Sequence, residues 1–94
     1  MMTEEERRLL ISLREMVSLY GGWVVPGTKI NVEFSKRADK MIVRLGHEHR
    51  EIPVGLMSPR VAGLVGDLHG KTASQAMKVL VDATSQRTKR GQEG

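Results

Sequence analysis

The sequence feature that most constrains this chain is a change in the spacing of its apolar residues. Between residues 30 and 56, apolar residues alternate with polar ones, as they do in strands that bury one face. Over residues 3–20 and 58–84 they recur at steps of three and four, which is the period of an amphipathic helix. The sequence therefore predicts an α+β fold with an N-terminal helix, a three- to four-stranded antiparallel meander and two C-terminal helices.

Residues typical of helix starts precede each helical stretch. Three pairs have the residue types and spacing of helix N-termini: Thr3 with Glu6, Ser58 with Pro59, and Thr72 with Gln75. Gly21 and Gly22 are expected to end the first helix, because glycine adopts the left-handed cap conformation at little cost. Gly63 and Gly66 weaken the second helix, which we expect to be short.

The alternating stretch is expected to form three strands, which carry Ile30, Val32 and Phe34, then Met41, Val43 and Leu45, then Ile52, Val54 and Leu56. Polar residues 35–39 connect the first two strands, and a tight polar turn over residues 46–50 connects the next two. Pro53 lacks a ladder donor, so the third strand should be short or lie at a sheet edge. Residues 23–25 form either a fourth short strand or a bridge from helix to sheet. The sheet face turned away from the helices is expected to present Asn31, Glu33, Lys40, Ile42 and Arg44.

A chain of 94 residues is long enough for one domain with one core. We expect that domain to comprise residues 1–84, followed by a flexible basic tail over residues 85–94, which carries no apolar anchor. No apolar run approaches the roughly 20 residues that span a bilayer. The first residues are acidic and lack the positive charge of a secretory signal, so we expect a cytoplasmic location and no membrane partner.

Basic residues are concentrated after the first helix. Lysine and arginine number 15 against 11 aspartate and glutamate residues, which gives a net charge of +4. This balance is compatible with contacts to a phosphate backbone, which add salt dependence but no sequence preference. The candidate nucleic-acid-binding residues lie in the first hairpin, the following strand and turn, and the last helix and tail: Lys36, Arg37, Lys40, Arg44, Arg50, Lys71, Lys78, Arg87, Lys89 and Arg90.

Patterns typical of enzymes and metal sites are weak in this sequence. There is no cysteine, and no serine lies in a Gly-x-Ser-x-Gly elbow. Gly70-Lys71-Thr72 resembles the end of a phosphate loop, but the glycine that this motif requires at position 65 is a valine. His47 and His49 would reach one metal ion in an extended segment, whereas a tight turn does not assure that geometry. We therefore expect no catalytic residue, no metal site and no cofactor.

The order of a helix, a three-stranded meander and a C-terminal helix is similar to that of double-stranded RNA-binding domains. In that family the final helix opens with a lysine cluster, whereas residues 70–73 here offer one lysine, and an extra helix from Pro59 is inserted. The two C-terminal helices, joined at Gly70, are also similar in order to a helix-turn-helix motif. Asp82 on the last helix would repel phosphate. Both resemblances concern the order of elements alone, and both imply contact with nucleic acid.

Two functional hypotheses follow. The first is a small non-enzymatic accessory protein that binds nucleic acid, DNA or RNA, through the basic hairpin and the C-terminal helix and tail. The alternative is a protein-interaction module: a small regulator, inhibitor or assembly subunit, such as a phage or mobile element encodes. It would act through a sheet edge or the exposed face around Ile42, and a homodimer is one form that this interaction could take.

Overall fold

The computed structural model describes the backbone of residues 2–93 and the side chains of residues 2–85. In chain order the elements are α1 (Glu4–Gly21), β1 (Asn31–Ser35), β2 (Lys40–Leu45), β3 (Glu48–Pro53), a 3-10 turn (Val54–Leu56), α2 (Pro59–Gly66) and α3 (Ala73–Glu93). The fold is α+β, with an N-terminal helix, an antiparallel sheet and two later helices. This confirms the fold class that the spacing of apolar residues predicts.

The sheet has β2 at its centre, with β1 and β3 as its antiparallel edges. α1 packs against α3 and also contacts β2 and β3, so the core lies between the helices and one face of the sheet. Every helix contributes buried side chains to this core, which includes Leu10, Leu13, Met16, Val43, Leu45, Ile52, Val61, Val65, Ala76 and Leu80. Burial of this continuous apolar layer is the main term that stabilises the fold.

The second hairpin differs from the sequence-based expectation of a turn over residues 46–50 and a strand over residues 52–56. Gly46 has φ +62°, whereas His47 has a negative φ, and these angles fit a two-residue type II′ turn. Pairing therefore resumes at Glu48, directly opposite Leu45. β3 ends at Pro53, which has no N–H, and residues 54–56 form the 3-10 turn. Pro53 is thus the last residue of β3, which is an edge strand, and Val54 and Leu56 lie beyond it.

Residues 23–25 do not add a fourth strand to the described sheet. The Trp23 N–H donates to the Tyr20 carbonyl at 3.0 Å, so Trp23 belongs to the turn that follows α1. The chain then turns again at Pro26 and Gly27 before an isolated bridge pairs Lys29 with Thr72. Of the two predicted alternatives for residues 23–25, the correct one is therefore a segment that connects α1 to the sheet without pairing as a strand.

The predicted helix starts are confirmed, and one carboxylate joins two of them. Thr3 and Glu6 form a full capping box at α1. The second oxygen of Glu6 accepts a hydrogen bond of 2.6 Å from the N–H of Ser58, which is the N-cap of α2. The backbone N–H groups of Ser58 and Thr3 together lower the pKa of Glu6 to about 2. A buried carboxylate thus fixes the start of α1 against the start of α2.

The predicted division into a domain and a tail after residue 84 stays a prediction. The helix assigned as α3 is Ala73–Glu93, but the side chains that follow Ser85 lie outside the described residues. Within the part of the chain that the structure describes, no helix is long and apolar enough to cross a membrane.

Candidate functional site

The sheet face turned away from the helices is polar, as the alternation in the sequence predicts. The register places Arg44 between Asn31 and His49, and Ile42 between Glu33 and Glu51. Lys40 lies at the end of the same face, beside the first hairpin connection. We call this surface the outer sheet face; its residues are Asn31, Glu33, Ser35, Lys40, Ile42, Arg44, His49, Glu51 and Pro53.

The cations of the outer sheet face are paired with carboxylates from neighbouring strands. Lys40 Nζ lies 2.9 Å from Glu51 Oε1, and Arg44 Nε lies 3.7 Å from Glu33 Oε1. The hydrogen bond and charge of Lys40 lower the pKa of Glu51, and the charges of His49 and Arg44 act in the same direction. Each lysine or arginine on this face is thus matched by a glutamate. The face as a whole does not present a strong positive field to a phosphate chain.

The connection between β1 and β2 carries cations that are not paired with carboxylates of the described residues. Residues 36–39 are all exposed, and Asp39 takes the left-handed conformation with φ +56°. Lys36 and Arg37 are adjacent, and neither makes a hydrogen bond or ion pair with the other described side chains. We call Lys36, Arg37 and the adjoining Lys40 the basic hairpin. Within the basic hairpin, Lys36 and Arg37 remain available to an external anion, whereas Lys40 is bound to Glu51.

Arg50 is separated from the other candidate cations of the sheet. It pairs with Val43, so its side chain extends from the face of the sheet that the helices cover. Its Nη1 donates to the carbonyl of His49 at 2.9 Å and lies 3.9 Å from a carboxylate oxygen of Glu48. Arg44 and Arg50 therefore do not form one surface, although the sequence suggests that they are neighbours.

Lys71 and the start of α3 lie at the end of β1 opposite to the basic hairpin. The N–H of Ile30, just before β1, donates to the carbonyl of Lys71 at 2.7 Å, whereas Lys36 follows the last residue of β1. Lys71 Nζ donates to the carbonyl of Asp67 at 2.8 Å. The Thr72 N–H donates to Gln75 Oε1, and the Gln75 N–H donates to Thr72 Oγ1. The start of α3 is thus capped by its own side chains, which makes it less available for a phosphate.

The far part of α3 returns to the end of the molecule that carries the basic hairpin. Arg7 Nη2 donates to the carbonyl of Thr84 at 3.4 Å. The residue before Arg7, Glu6, accepts the N–H of Ser58. The residue that follows β3 donates its N–H to the carbonyl of Asp39 in the hairpin connection. These contacts connect residue 84 to the hairpin end. Lys78 is exposed on α3 before this point, while the side chains of Arg87, Lys89 and Arg90 lie outside the described residues.

A loop closes half of the outer edge of β1, a feature that sequence reasoning missed. The Ile30 carbonyl accepts the N–H of Gly70 at 2.8 Å, and the Val32 N–H donates to His69 Nδ1 at 3.0 Å. Phe34, further along the same strand, is 57% exposed although it shares the helix-facing side with Val43. No local pattern signals this loop, since its contacts join residues that are 37 to 41 positions apart in the chain.

The two histidines and the two apolar residues that the sequence analysis names as candidates, Trp23 and Ile42, lie in separate places. His49 lies on the outer sheet face with Nε2 3.8 Å from Glu51 Oε2, while His47 lies in the turn. Residues 2–85 contain no group of three or more histidines and carboxylates placed to hold a metal ion. Trp23 is 81% exposed in the loop after α1, and Ile42 is half-buried at the centre of the outer sheet face.

The candidate cations thus fall into distinct groups. Lys36, Arg37 and Lys40 lie together at one end of the sheet, Lys71 lies at the other end, and Arg50 extends from the opposite face.

Comparison with protein-family models, with curated proteins and with solved structures finds no match to this chain.

Proposed function

We propose that this domain is a cytoplasmic, non-enzymatic accessory protein that binds the phosphate backbone of nucleic acid through the basic hairpin. The observation that carries the proposal is the pair Lys36 and Arg37, two adjacent and exposed cations that have no anionic partner among the described residues. When such a pair neutralises phosphates, it releases the cations condensed on the nucleic acid, and no ion pair within the protein has to be broken first.

The pairing of the neighbouring cations leaves Lys36 and Arg37 as the main phosphate contacts. Lys40 and Arg44 are compensated by Glu51 and Glu33, so a phosphate must compete with those carboxylates for them. Lys71 lies at the opposite end of β1, too far away to contact the same phosphate as Lys36. Arg87, Lys89 and Arg90 follow the part of α3 that reaches the hairpin end, which supports their inclusion in an extended contact along the backbone.

The chemistry of the pair favours backbone contacts and not base readout. Arg37 supplies a planar guanidinium that can hold a phosphate with two N–H donors, and Lys36 supplies a compact charge on a flexible stem. Proteins that read single strands on a sheet stack bases on exposed aromatic residues of the strands. The outer sheet face carries none, because Phe34 lies on the helix-facing side. We therefore expect binding with little sequence preference.

Fluorescence titration of the protein against labelled duplex and single-stranded DNA and RNA tests this proposal. Each lost phosphate contact lowers the log–log salt slope for duplex DNA by about 0.9, so the variant K36A/R37A should lose about 1.8. Between about 50 and about 200 mM salt this corresponds to a salt effect roughly tenfold smaller than that of the wild type.

A matched control is available at the opposite end of the sheet. Lys29→Ala removes the same charge as Lys36→Ala from an exposed residue beside Thr72. We expect Lys36→Ala to change both affinity and slope, and Lys29→Ala to leave the slope unchanged. Equal effects of the two substitutions would show that only net charge matters, and the absence of binding at low salt would refute the proposal.

A protein-interaction module is the second candidate, and a different observation favours it. Phe34 is a large apolar side chain, 57% exposed, on a strand at the edge of the sheet. A partner strand on this edge would slow the hydrogen exchange of the Phe34 amide. Unchanged exchange of that amide in every complex the protein forms would exclude this edge as the interaction site.

A further inference from the structure

Phe34 is an aromatic residue at the rim of the sheet, where the core ends. It pairs with Met41 on β2 and shares the helix-facing side with Val43. Met41 is half-buried, and its terminal methyl lies beside Gly66 at the end of α2. Phe34 lies one strand further out, on the edge strand β1, and is 57% exposed. The helices thus cover the central strand, whereas solvent reaches more than half of the surface of this ring.

The exposed ring adjoins the cations of the basic hairpin. Lys36 follows Phe34 by two residues, so their Cα atoms are no more than about 7 Å apart. Lys36 and Arg37 are exposed, and neither has an anionic partner among the described residues. One short ligand can therefore contact an aromatic ring and two uncompensated positive charges.

The backbone at this edge leaves little room for a protein strand. The Val32 N–H donates to His69 Nδ1 at 3.0 Å, so the backbone groups of Val32 point away from the sheet. Alternate residues of a strand point the same way, and Phe34 therefore does so too. β1 ends at the next residue. The open stretch is much shorter than an ordinary strand of about five or six residues, and a ligand that uses the ring and the cations fits this place better.

An unpaired nucleic-acid base matches this combination of groups. The bases of single strands stack on aromatic side chains, and each base is joined to the phosphate chain through one sugar. The phosphates next to a base on Phe34 would carry the charge that complements Lys36 and Arg37. In a duplex the neighbouring bases cover each base face, so a duplex offers only its phosphates to this end of the sheet.

We propose that Phe34 is a stacking site for one unpaired base, which makes single-stranded nucleic acid the preferred ligand of the basic hairpin. This inference rests on the proposed phosphate contacts of Lys36 and Arg37 and adds a contact that only a single strand can make. A single ring stacks on any base, because every base has a π-face, so the ring introduces little sequence preference.

Trp23 provides a matched control for the aromatic side chain. It is 81% exposed, and the following residue, Val24, lies beside Gly46 in the second turn. The full length of β2 separates that turn from the basic hairpin. Removal of the Trp23 ring therefore takes away an exposed aromatic group at the opposite end of the sheet.

Anisotropy titrations test the proposal with a labelled oligothymidine of about ten nucleotides and a duplex of the same length, at about 50 mM salt. Phe34→Ala should weaken binding of the single strand by about 5- to 150-fold, the range measured for loss of one stacked base. It should leave the affinity for the duplex unchanged. Phe34→Trp should retain single-strand binding, Phe34→Leu should lose most of it, and Trp23→Ala should have no effect. Thermal unfolding of each variant verifies that the fold is intact.

The possible failures separate this inference from the proposed function. If Phe34→Ala leaves single-strand binding unchanged while K36A/R37A weakens it, the stacking site is refuted and the phosphate contacts remain. Equal losses for single strand and duplex, or an equal loss in Trp23→Ala, would also refute the stacking site. If neither nucleic acid binds the wild type, both proposals fall. Nuclear Overhauser effects between the Phe34 ring protons and thymine protons would support the site directly.

Discussion

Gly46 combines two constraints that a single methyl group would violate. Its φ of +62° lies in the left-handed region, and a Cβ built on it would lie 2.7 Å from Val24 Cγ1. Alanine in the left-handed region costs about 1–2 kcal/mol. Forcing a methyl group into a packed contact costs a further ~1–3 kcal/mol. For a domain of this size each kcal/mol lowers Tm by about 5 °C, so Gly46→Ala should lower Tm by roughly 10–25 °C.

Three further variants, Gly27→Ala, Val24→Ala and the double variant V24A/G46A, separate the conformational and steric contributions. Gly27 has φ +91° with nothing within 4 Å of a built Cβ, so Gly27→Ala carries the conformational cost alone, about 1–2 kcal/mol. In the double variant V24A/G46A the clashing methyl is gone, and the loss of stability should be smaller than the sum of the two single losses by about 1–3 kcal/mol. Calorimetric unfolding measures all four. Strict additivity, or equal effects of Gly46→Ala and Gly27→Ala, would refute the steric part of this reasoning.

Two other predictions concern buried polar groups. Glu6 has a pKa lowered from 4.5 to about 2, so its contribution to stability is complete above about pH 4.5 and is lost as the pH falls towards 2. The difference in urea midpoint between the wild type and Glu6→Gln should therefore shrink across that window, and a constant difference would contradict the role of the charge. Thr84 is buried, and its hydroxyl accepts a hydrogen bond of 2.8 Å from Arg14 Nη1. Thr84→Val should lower stability by about 1–3 kcal/mol in a denaturant titration, whereas an unchanged midpoint would show that Arg14 finds another acceptor.

Local patterns predicted the elements of this fold because the physics that forms them is local. The capping pairs of Thr3 with Glu6 and Thr72 with Gln75 join residues three positions apart, so residue type and spacing were sufficient. The bond from Ser58 to Glu6 joins residues 52 positions apart, and no sequence pattern contains it. Polarity alone predicts too long a second turn, because Glu48 and His49 are polar and yet are the first residues of β3.

The distribution of charge could be predicted only in part. Alternation correctly placed Lys40 and Arg44 on the face away from the helices. Their pairing with Glu51 and Glu33 depends on the register between strands, which composition does not reveal. The position of Lys71 depends on how the loop before α3 meets the start of β1. The ten candidate cations therefore form one group in the sequence, whereas the fold divides those among the described residues between different ends and faces.

The central claim, that the basic hairpin contacts phosphate, is tested most directly by mapping backbone amide shifts of the ¹⁵N-labelled protein on addition of a short duplex at low salt. The account predicts shifts concentrated at residues 36–40, with small changes at Lys29 and Lys71 at the opposite end of β1. Shifts centred on residues 69–73, or no shifts at saturating duplex, would contradict it.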